Sequence, residues 1–221
     1  MQHIFKLFAR ILDALFPHFC VGCDTRGTLF CDACLARSPK APPVANDSHI
    51  HALFSYQHPP IKHALWRFKY GNTRNFAKVF APKLYEEILA ELEDRVDTLS
   101  REKYLIIPIP LHPSRLRTRG YNQSAILAQK LIEYDNGRIF EYAPHILIRT
   151  KKTRPQAKSE RRAARIANLH DAFACCDHAR IRNRIIILID DIVTTGATLH
   201  AAKQALQEAK PRKIMAFTIA H

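Results

Sequence analysis

Two adjacent carboxylates stand where an apolar segment gives way to a threonine-rich turn. The apolar residues end in Asp190 and Asp191, and the turn leads directly into a helical pattern. Backbone N–H groups at a helix N-terminus, with hydroxyl groups beside them, form a cradle for a phosphate group. A glycine in such a turn lets the backbone approach the anion closely. The residues of this predicted cradle are Thr194, Thr195, Gly196, Ala197 and Thr198.

The two carboxylates would repel a phosphate group, so they must serve another part of the same ligand. Carboxylates accept hydrogen bonds from ribose hydroxyls, and they also bind Mg²⁺, which prefers oxygen ligands. A phosphate cradle beside an acidic pair is therefore typical of a ribose 5-phosphate site. The alternative is a structural acidic pair at a strand end, followed by an ordinary capped helix, but the close spacing of pair and turn favours the ligand site.

Four cysteines form two pairs, each with two residues between its members. This spacing lets both thiolates of a pair face one ion, and two pairs complete the tetrahedral site that Zn²⁺ prefers. Such an ion would be structural, because four protein ligands leave no open position for chemistry. Two disulfides or a redox pair are the alternatives. A reducing compartment disfavours the disulfides, and the absence of a surrounding βαβ unit disfavours the redox pair. The predicted ligands are Cys20, Cys23, Cys31 and Cys34, whereas Cys175 and Cys176 are expected to be an incidental pair.

Positive charge dominates the composition of the chain. Its 221 residues include 34 Lys+Arg and 20 Asp+Glu, which gives a formal net charge of +14. Residues 101–180 carry sixteen basic and seven acidic groups, so the excess lies mainly in the C-terminal part. A field of this sign attracts polyanions. The hydrophobic fraction of 47% excludes a mainly disordered chain, and no segment reaches the roughly 20 apolar residues of a membrane span.

A run of cations begins at Arg149. Four of its members recur at i, i+3, i+4 and i+7 and would share one helix face, which could follow a nucleic-acid backbone. A solvated surface is the alternative. Upstream, the alternating aromatic residues Trp66, Phe68 and Tyr70 could stack on bases or pack in the core. The candidate nucleic-acid contacts are Lys151, Lys152, Arg154, Lys158, Arg161, Arg162 and Arg165.

Alternating strands and helices must position these groups. Continuous apolar runs predict buried strands, and apolar residues at helical spacing predict helices. Strands that alternate with helices form a parallel sheet covered on both faces, whose ligands bind beyond the carboxyl ends of the strands. The sequence therefore predicts an α/β fold, with strands at 104–109, 145–149, 184–189 and 213–220 and helices at 72–96, 121–134, 160–169 and 197–209.

The predicted domain organisation has three parts. Residues 1–16 form an amphipathic helix, residues 17–49 form the zinc ribbon and a linker, and residues 50–221 form the α/β domain. Charged residues interrupt the apolar stretch of the first part, which is untypical of an export signal. We therefore expect a cytoplasmic location.

Several segments resemble a known family. LIDDIVTTGAT resembles the phosphoribosyl pyrophosphate (PRPP) motif of type I phosphoribosyltransferases, and the wider resemblance is to the ComF family, which joins an N-terminal zinc ribbon to such a domain. Some relatives carry a second set of cysteine pairs, so a single zinc ion is expected here. The other matching segments follow the family order over nearly the whole chain: FPHFCVGC, FCDACL, FKYG, IPIPLHPSRLRTRGYNQ, TRPQ and RIANLHDAF.

The resemblance assigns roles to individual residues. Asp190 and Asp191 would bind the ribose 2′ and 3′ hydroxyls of PRPP, directly or through Mg²⁺, and residues 194–198 would hold the 5-phosphate. The loop after Ile109 would bind pyrophosphate. Arginines at alternate positions could neutralise the leaving pyrophosphate, although a solvated basic loop is the alternative. The mobile cover of the site would comprise Arg115, Arg117, Arg119, Gly120, Tyr121, Asn122 and Gln123.

The resemblance also implies a biological role. The chain would be a cytoplasmic accessory protein of natural transformation that handles incoming single-stranded DNA together with a helicase. Two alternatives remain open: an active phosphoribosyltransferase, which is a glycosyltransferase of nucleotide metabolism, and a non-catalytic protein that senses PRPP. No arrangement of residues for a protein nucleophile is evident, and no acceptor-binding residues can be identified.

Overall fold

Five parallel strands form the centre of the fold. The computed structural model describes residues 17–45, 47–71, 73–93, 103–150 and 172–221. The strands within these ranges are β1 (Ile50–Phe54), β2 (Tyr104–Pro108), β3 (Phe140–Tyr142), β4 (Leu147–Arg149), β5 (Phe173–Cys175), β6 (Ile185–Ile192) and β7 (Lys213–Ala220). The main sheet has the order β1-β7-β6-β2-β3 and is parallel throughout, whereas β4 and β5 form a separate antiparallel ribbon.

Helices cover both faces of this sheet. In chain order they are α1 (Asp32–Ala36), α2 (Pro59–Tyr70), α3 (Phe76–Glu93), α4 (Pro113–Arg119), α5 (Gln123–Asp135), α6 (His178–Ile181) and α7 (Ala197–Gln207). Buried side chains of α2, α3 and α5 share one apolar core, and those of α7 and the ribbon share the other. The predicted α/β fold with a helix-flanked parallel sheet is confirmed.

The central strand β6 supplies side chains to both cores. Ile187 and Ile189 belong to the core beneath α2, α3 and α5, whereas Ile186 and Leu188 belong to the core beneath α7. Successive side chains of a strand point to opposite faces, so a strand covered on both sides must be apolar at nearly every position. This requirement explains the continuous apolar run that identified the strand.

Several element boundaries differ from the sequence-based prediction. β6 extends to Ile192 rather than ending at residue 189, because β7 continues to pair with it through Asp190 opposite Thr218 and Ile192 opposite Ala220. The long helix α3 begins at Phe76 rather than residue 72. The predicted helices at 1–16 and 160–169 lie outside the described residues.

The cysteine-rich segment packs directly on the α/β domain. Phe30 meets Phe80 of α3 edge-on, with ring centroids 6.4 Å apart, and Leu29 and Leu35 join the same apolar core. The residues that follow were predicted to be a linker. They run beside the sheet, where Lys40 forms an antiparallel bridge with Phe54. The segment therefore contributes to the same hydrophobic core as the sheet.

None of the helices in the described ranges is both long and apolar enough to cross a membrane.

Candidate functional site

The candidate site lies at the point in the sheet where the helical connections switch from one face of the sheet to the other. β2 leads through α5 to β3 on one face, and β6 leads through α7 to β7 on the other. Because β2 and β6 are neighbours, the loops at their carboxyl ends diverge and leave a cleft between them, which is the usual ligand position in open parallel sheets. Asp190 and Asp191 lie at this end of β6, within the strand.

The turn after β6 forms a small pocket at the start of α7. Its lining consists of Asp190 and residues 192–199, which include all five residues of the predicted phosphate cradle. Gly196 precedes the helix with φ of 75°, a left-handed conformation that glycine adopts without strain. It has no side chain to cap the helix, and Oγ1 of Thr195 approaches the N atom of Ala197 only to 3.5 Å. The N–H groups of such a helix start can bind an anion.

The carboxylate of Asp190 is held by two donors. The Ser124 hydroxyl donates to Oδ1 at 2.8 Å, and the backbone N–H of Asp191 donates to the same oxygen at 2.8 Å. Burial, and next the charge of Asp191, raise the pKa of Asp190 to about 7. The residue as a whole keeps some exposed surface, yet its carboxyl group is enclosed by protein. The carboxyl group of Asp190 therefore changes charge near neutral pH.

Asp191 forms an ion pair with a lysine from a distant part of the chain. Nζ of Lys69 lies 2.9 Å from Oδ1 of Asp191, and the two side chains are only 18% and 9% exposed. Lys69 belongs to the last turn of α2. A buried carboxylate needs such a partner, because removing one member leaves an uncompensated charge in the interior.

A second cation lies near the acidic pair. Arg149 ends β4 and packs its guanidinium over the ring of Phe173, 5.1 Å from the ring centroid. Burial lowers the pKa of Arg149, the nearby charge of Arg115 lowers it further, and Asp190 opposes both effects. Arg149, Arg115 and Asp190 thus share one electrostatic environment at the cleft.

The three arginines of the predicted cover lie on a helix rather than a loop. They belong to α4, whose N-cap is His112. The imidazole Nδ1 of His112 accepts a hydrogen bond from the backbone N–H of Ser114. Arg115 and Arg119 are one turn apart and partly buried, whereas Arg117 is exposed. Of the three, Arg115 is the one whose charge acts on Arg149, which in turn is affected by Asp190. Arg119 donates to Oε1 of Gln123 at 3.3 Å.

The rest of the predicted cover is fixed by hydrogen bonds. The Tyr121 hydroxyl donates to the carbonyl of Phe68, Gln123 donates to the carbonyl of Lys69 at 3.3 Å, and Asn122 donates to the carbonyl of Ile109 at 2.9 Å. Tyr121 and Gln123 are buried. These side chains connect α5 to α2 and β2, and Gly120 ends α4 in a left-handed conformation.

The four clustered cysteines converge on one point. Their sulfur atoms all lie within 4.8 Å of one another, with 3.7 Å between Cys20 and Cys31 and 3.6 Å between Cys23 and Cys31. A tetrahedral zinc site with Zn–S bonds of about 2.3 Å places its sulfurs roughly 3.8 Å apart. These separations suit a shared ion and are far longer than the about 2.05 Å of a disulfide.

Hydrogen-bond donors surround Cys20 and Cys23, whereas the hydrogen bond with Cys23, and next burial, raise the pKa of Cys34 to about 12. The N–H groups of Gly22 and Cys31 donate to Sγ of Cys20 at 3.4 and 3.3 Å. The hydroxyl of Thr25, 3.1 Å from Sγ of Cys23, lowers the pKa of that thiol to about 6. A Cβ atom on Gly22 would lie 2.9 Å from Sγ of Cys34, so glycine is required for this close approach. The donor set therefore fits a structural Zn²⁺ ion.

The predicted nucleic-acid contacts lie outside the described residues. The structure does describe the two ends of their segment, since the N–H of Thr150 donates to the carbonyl of Ala172 at 2.9 Å. Both ends adjoin Arg149 and Phe173, beside the acidic pair. The basic segment therefore starts and finishes at the rim of the candidate site.

Comparisons with known proteins agree with this architecture. Residues 116–221 match the model of the phosphoribosyl transferase domain. The chain is 26% identical over 201 residues to the competence protein ComFC of Bacillus subtilis, covering 90% of this chain and 71% of that protein. It is 30% identical over 168 residues to the competence protein ComFC of Streptococcus pneumoniae, covering 76% of this chain and 66% of that one. The chain belongs to the ComF family.

Among solved structures, this ComF-family chain is similar to the hypoxanthine phosphoribosyl transferase of Trypanosoma cruzi. The two share 12% sequence identity with a TM-score of 0.42, over 66% of this chain and 65% of that one. The alignments with the two ComFC proteins span about two thirds of each relative's length, at 66% and 71%.

Sequence reasoning missed two residues at the ComF-family site, and it did not place a third there. Lys69, Ser124 and Arg149 contact or face the acidic pair, but only Arg149 had been considered, as part of the basic run. The motif FKYG contains Lys69, yet no local pattern shows that its ammonium group meets a carboxylate more than 100 positions later. The contact exists only because α2 ends beside the carboxyl end of β6.

The first prediction concerns the cysteine cluster. Replacing Cys20 and Cys31 together by serine should remove bound zinc, because only two of the four thiolates remain. Metal analysis of the purified protein should find one zinc ion per wild-type chain and almost none in this variant. The matched control replaces Cys175 and Cys176 by serine and should retain one zinc ion. Equal zinc contents in the two variants would contradict the assignment.

The second prediction concerns Asp190 and pH. The folded state holds a proton on this carboxyl up to pH 7 or so, whereas an unfolded aspartate releases it near pH 3.9, so wild-type stability falls as pH rises across this window. Asp190→Asn stays neutral. The free energy of unfolding of the variant, relative to wild type, should therefore rise by about 2 to 3 kcal/mol between pH 5 and pH 8.

Urea unfolding at the two pH values would measure this change. Asp177→Asn provides the control for loss of a carboxylate from the exposed N-cap of α6. If the free energy of unfolding of Asp190→Asn, relative to wild type, is the same at pH 5 and pH 8, the carboxyl group of Asp190 does not hold a proton in this pH range.

Proposed function

We propose that this ComF-family protein binds PRPP at the carboxyl edge of its sheet. The observation that carries the proposal is a helix start with free space for an anion, directly after a strand that ends in two partly buried carboxylates. The helix start suits the 5-phosphate and the carboxylates suit the ribose. PRPP also carries a pyrophosphate group, for which Arg115 and Arg149 lie on the side of β2 and β4.

The phosphate group would be held by backbone N–H groups and threonine hydroxyls. Thr194, Thr195 and Thr198 line the pocket with Gly196 and Ala197, and the dipole of α7 favours an anion at this end. Gly196 lacks a Cβ atom, which would sit 3.3 Å from the ring of His200. A side chain here would adopt an unfavourable backbone conformation and crowd that ring.

The ribose would meet the acidic pair. Its 2′ and 3′ hydroxyls can donate to the carboxylates, and the Lys69 ammonium group would hold the Asp191 carboxylate in position through their ion pair. Mg²⁺ bound with PRPP would neutralise pyrophosphate charge, and the oxygens of the acidic pair are of the type it prefers. Lys69 therefore acts as a positioning residue for Asp191.

Two activities are compatible with such a site. In a phosphoribosyltransferase the bond from the anomeric carbon to pyrophosphate breaks, the acceptor forms a new bond to that carbon, and pyrophosphate leaves with its electron pair. Arg115 and Arg149 would stabilise the charge on the departing oxygens. The second candidate is a non-catalytic PRPP sensor. Release of pyrophosphate in the presence of an acceptor would identify the transferase.

We further propose a role in natural transformation, in the cytoplasm, with single-stranded DNA and a helicase as partners. The two bacterial relatives are competence proteins, which supports a role in competence. Support for DNA comes from the excess of cations in residues 101–180 and from the basic segment that begins and ends beside the candidate site. PRPP and the DNA backbone are both polyanions, so one positively charged face can attract either.

The third prediction tests the PRPP site. Replacing Asp190 and Asp191 together by asparagine should weaken Mg²⁺-dependent binding of PRPP on the order of 100-fold or more, because two charge-assisted contacts are lost. Isothermal titration calorimetry would measure the affinity. A control with Lys158 and Arg161 changed to glutamine should bind PRPP as wild type does. Unchanged binding by the acidic-pair variant would refute the site assignment.

The fourth prediction tests DNA binding. Wild-type protein should bind an oligothymidine strand with an affinity that falls steeply as salt rises, because phosphate contacts release counterions. Changing Lys158, Arg161 and Arg162 to glutamine should reduce the slope of log affinity against log salt by about 2, or roughly 0.7 for each lost contact. The acidic-pair variant is the control and should keep the wild-type slope. Identical slopes in all three proteins would remove the basic run from the interface.

A further inference from the structure

Helix α2 exposes two aromatic side chains on one face. Trp66 is 58% exposed and Tyr70 is 61% exposed, and their ring centroids lie 6.2 Å apart. The two residues are one helical turn apart, which places them side by side. Phe68, between them in the sequence, is fully buried in the core. The helix therefore uses Phe68 for packing and leaves the other two rings in solvent.

The apolar core does not account for this arrangement. The buried face of α2 is supplied by Ile61, Ala64, Leu65 and Phe68. Two exposed aromatic rings cost solvation free energy and add nothing to that face. Neighbouring exposed aromatic side chains on a polar surface are typical of binding sites.

The segment that carries the two rings is strongly basic in sequence. Residues 48–85 contain no aspartate or glutamate and carry six cations, namely Lys62, Arg67, Lys69, Arg74, Lys78 and Lys83. The guanidinium group of Arg119 lies 5.1 Å from the ring centroid of Tyr70 and donates to its hydroxyl at 3.2 Å. This charge favours a polyanion over a protein surface as the ligand of the aromatic pair.

The aromatic pair lies on the same helix as the lysine that contacts the acidic pair. Lys69, next to Tyr70 in the sequence, reaches Asp191 at 2.9 Å. Gln123 accepts a hydrogen bond from Arg119 and donates one to the carbonyl of Lys69. A ligand on the two rings would therefore lie within one helical turn of a residue that contacts the candidate ribose site.

We propose that Trp66 and Tyr70 form a stacking surface for the bases of single-stranded DNA. The inference rests on the proposed function, since it names the part of the protein that contacts bases while the basic run contacts phosphates. Aromatic rings stack on any base that is not already stacked, which favours a single strand over a duplex. Each such stack contributes about 1 to 3 kcal/mol in alanine substitutions, a factor of roughly 5 to 150 in affinity.

Trp66 provides its own probe, because it is the single tryptophan of the chain. An oligothymidine strand should quench its fluorescence as it binds at low salt. An abasic strand of the same length retains the phosphates but has no bases, so it should bind more weakly and leave the fluorescence nearly unchanged. The comparison separates base stacking from phosphate attraction.

Variants provide an independent measurement. Trp66→Ala and Tyr70→Ala should each weaken oligothymidine binding by roughly 5- to 150-fold while keeping the salt slope and the affinity for PRPP. Trp66→Phe should restore most of the affinity. Tyr134→Ala removes an exposed aromatic ring on α5, and it should bind as wild type does.

The outcomes distinguish this inference from the proposed function. Wild-type protein that binds no oligothymidine would overturn both. Tight, salt-dependent binding that is equal in wild type and Trp66→Ala, without quenching, would overturn the stacking surface alone. Equal quenching by thymidine monophosphate at the same concentration of bases would show that the rings bind free nucleotides, which also overturns the assignment to single-stranded DNA.

Discussion

Two neighbouring carboxylates must be kept in the partly buried end of a central strand, and much of the structure is arranged around this electrostatic constraint. Asp191 is compensated by Lys69 from α2. Asp190 accepts from Ser124 at the start of α5 and from a backbone N–H. Removing carboxylates from water is costly unless partners replace the lost solvation. The carboxyl end of β6 therefore fixes the positions of α2 and α5.

The same constraint explains why the segment before α5 is so firmly held. Lys69 can reach Asp191 only if the end of α2 stays beside the carboxyl end of β6. Tyr121 and Gln123 donate to the backbone carbonyl groups of Phe68 and Lys69. These hydrogen bonds hold in place the end of α2 that carries the Lys69 ammonium group. Binding residues placed on a supported helix end keep their geometry better than residues on a free loop.

The sequence was sufficient for the parts of the fold that depend on local pattern. The continuous apolar run of β6 requires burial on both faces, and the helical spacing after Gly196 requires α7 to start there, which places the phosphate cradle between them. Residue spacing also brought the four cysteines together. Local pattern could not show that β6 continues through Asp190 and Asp191, because the pairing with β7 decides where it ends. Three interactions at the site depend on tertiary contacts between distant segments. They are the ion pair of Lys69, the hydrogen bond from Ser124 and the stacking of Arg149 on Phe173.

The hydrogen bond between Thr150 and Ala172 has a geometrical consequence for the residues between them. Residues 151–171 form a stretch of 21 positions whose two ends meet at the rim of the cleft. A stretch of this length can extend at most about 35 Å from its fixed ends, at roughly 3.5 Å per residue for each half. Any group that this stretch carries therefore stays within about 35 Å of the cleft, whatever else it contacts.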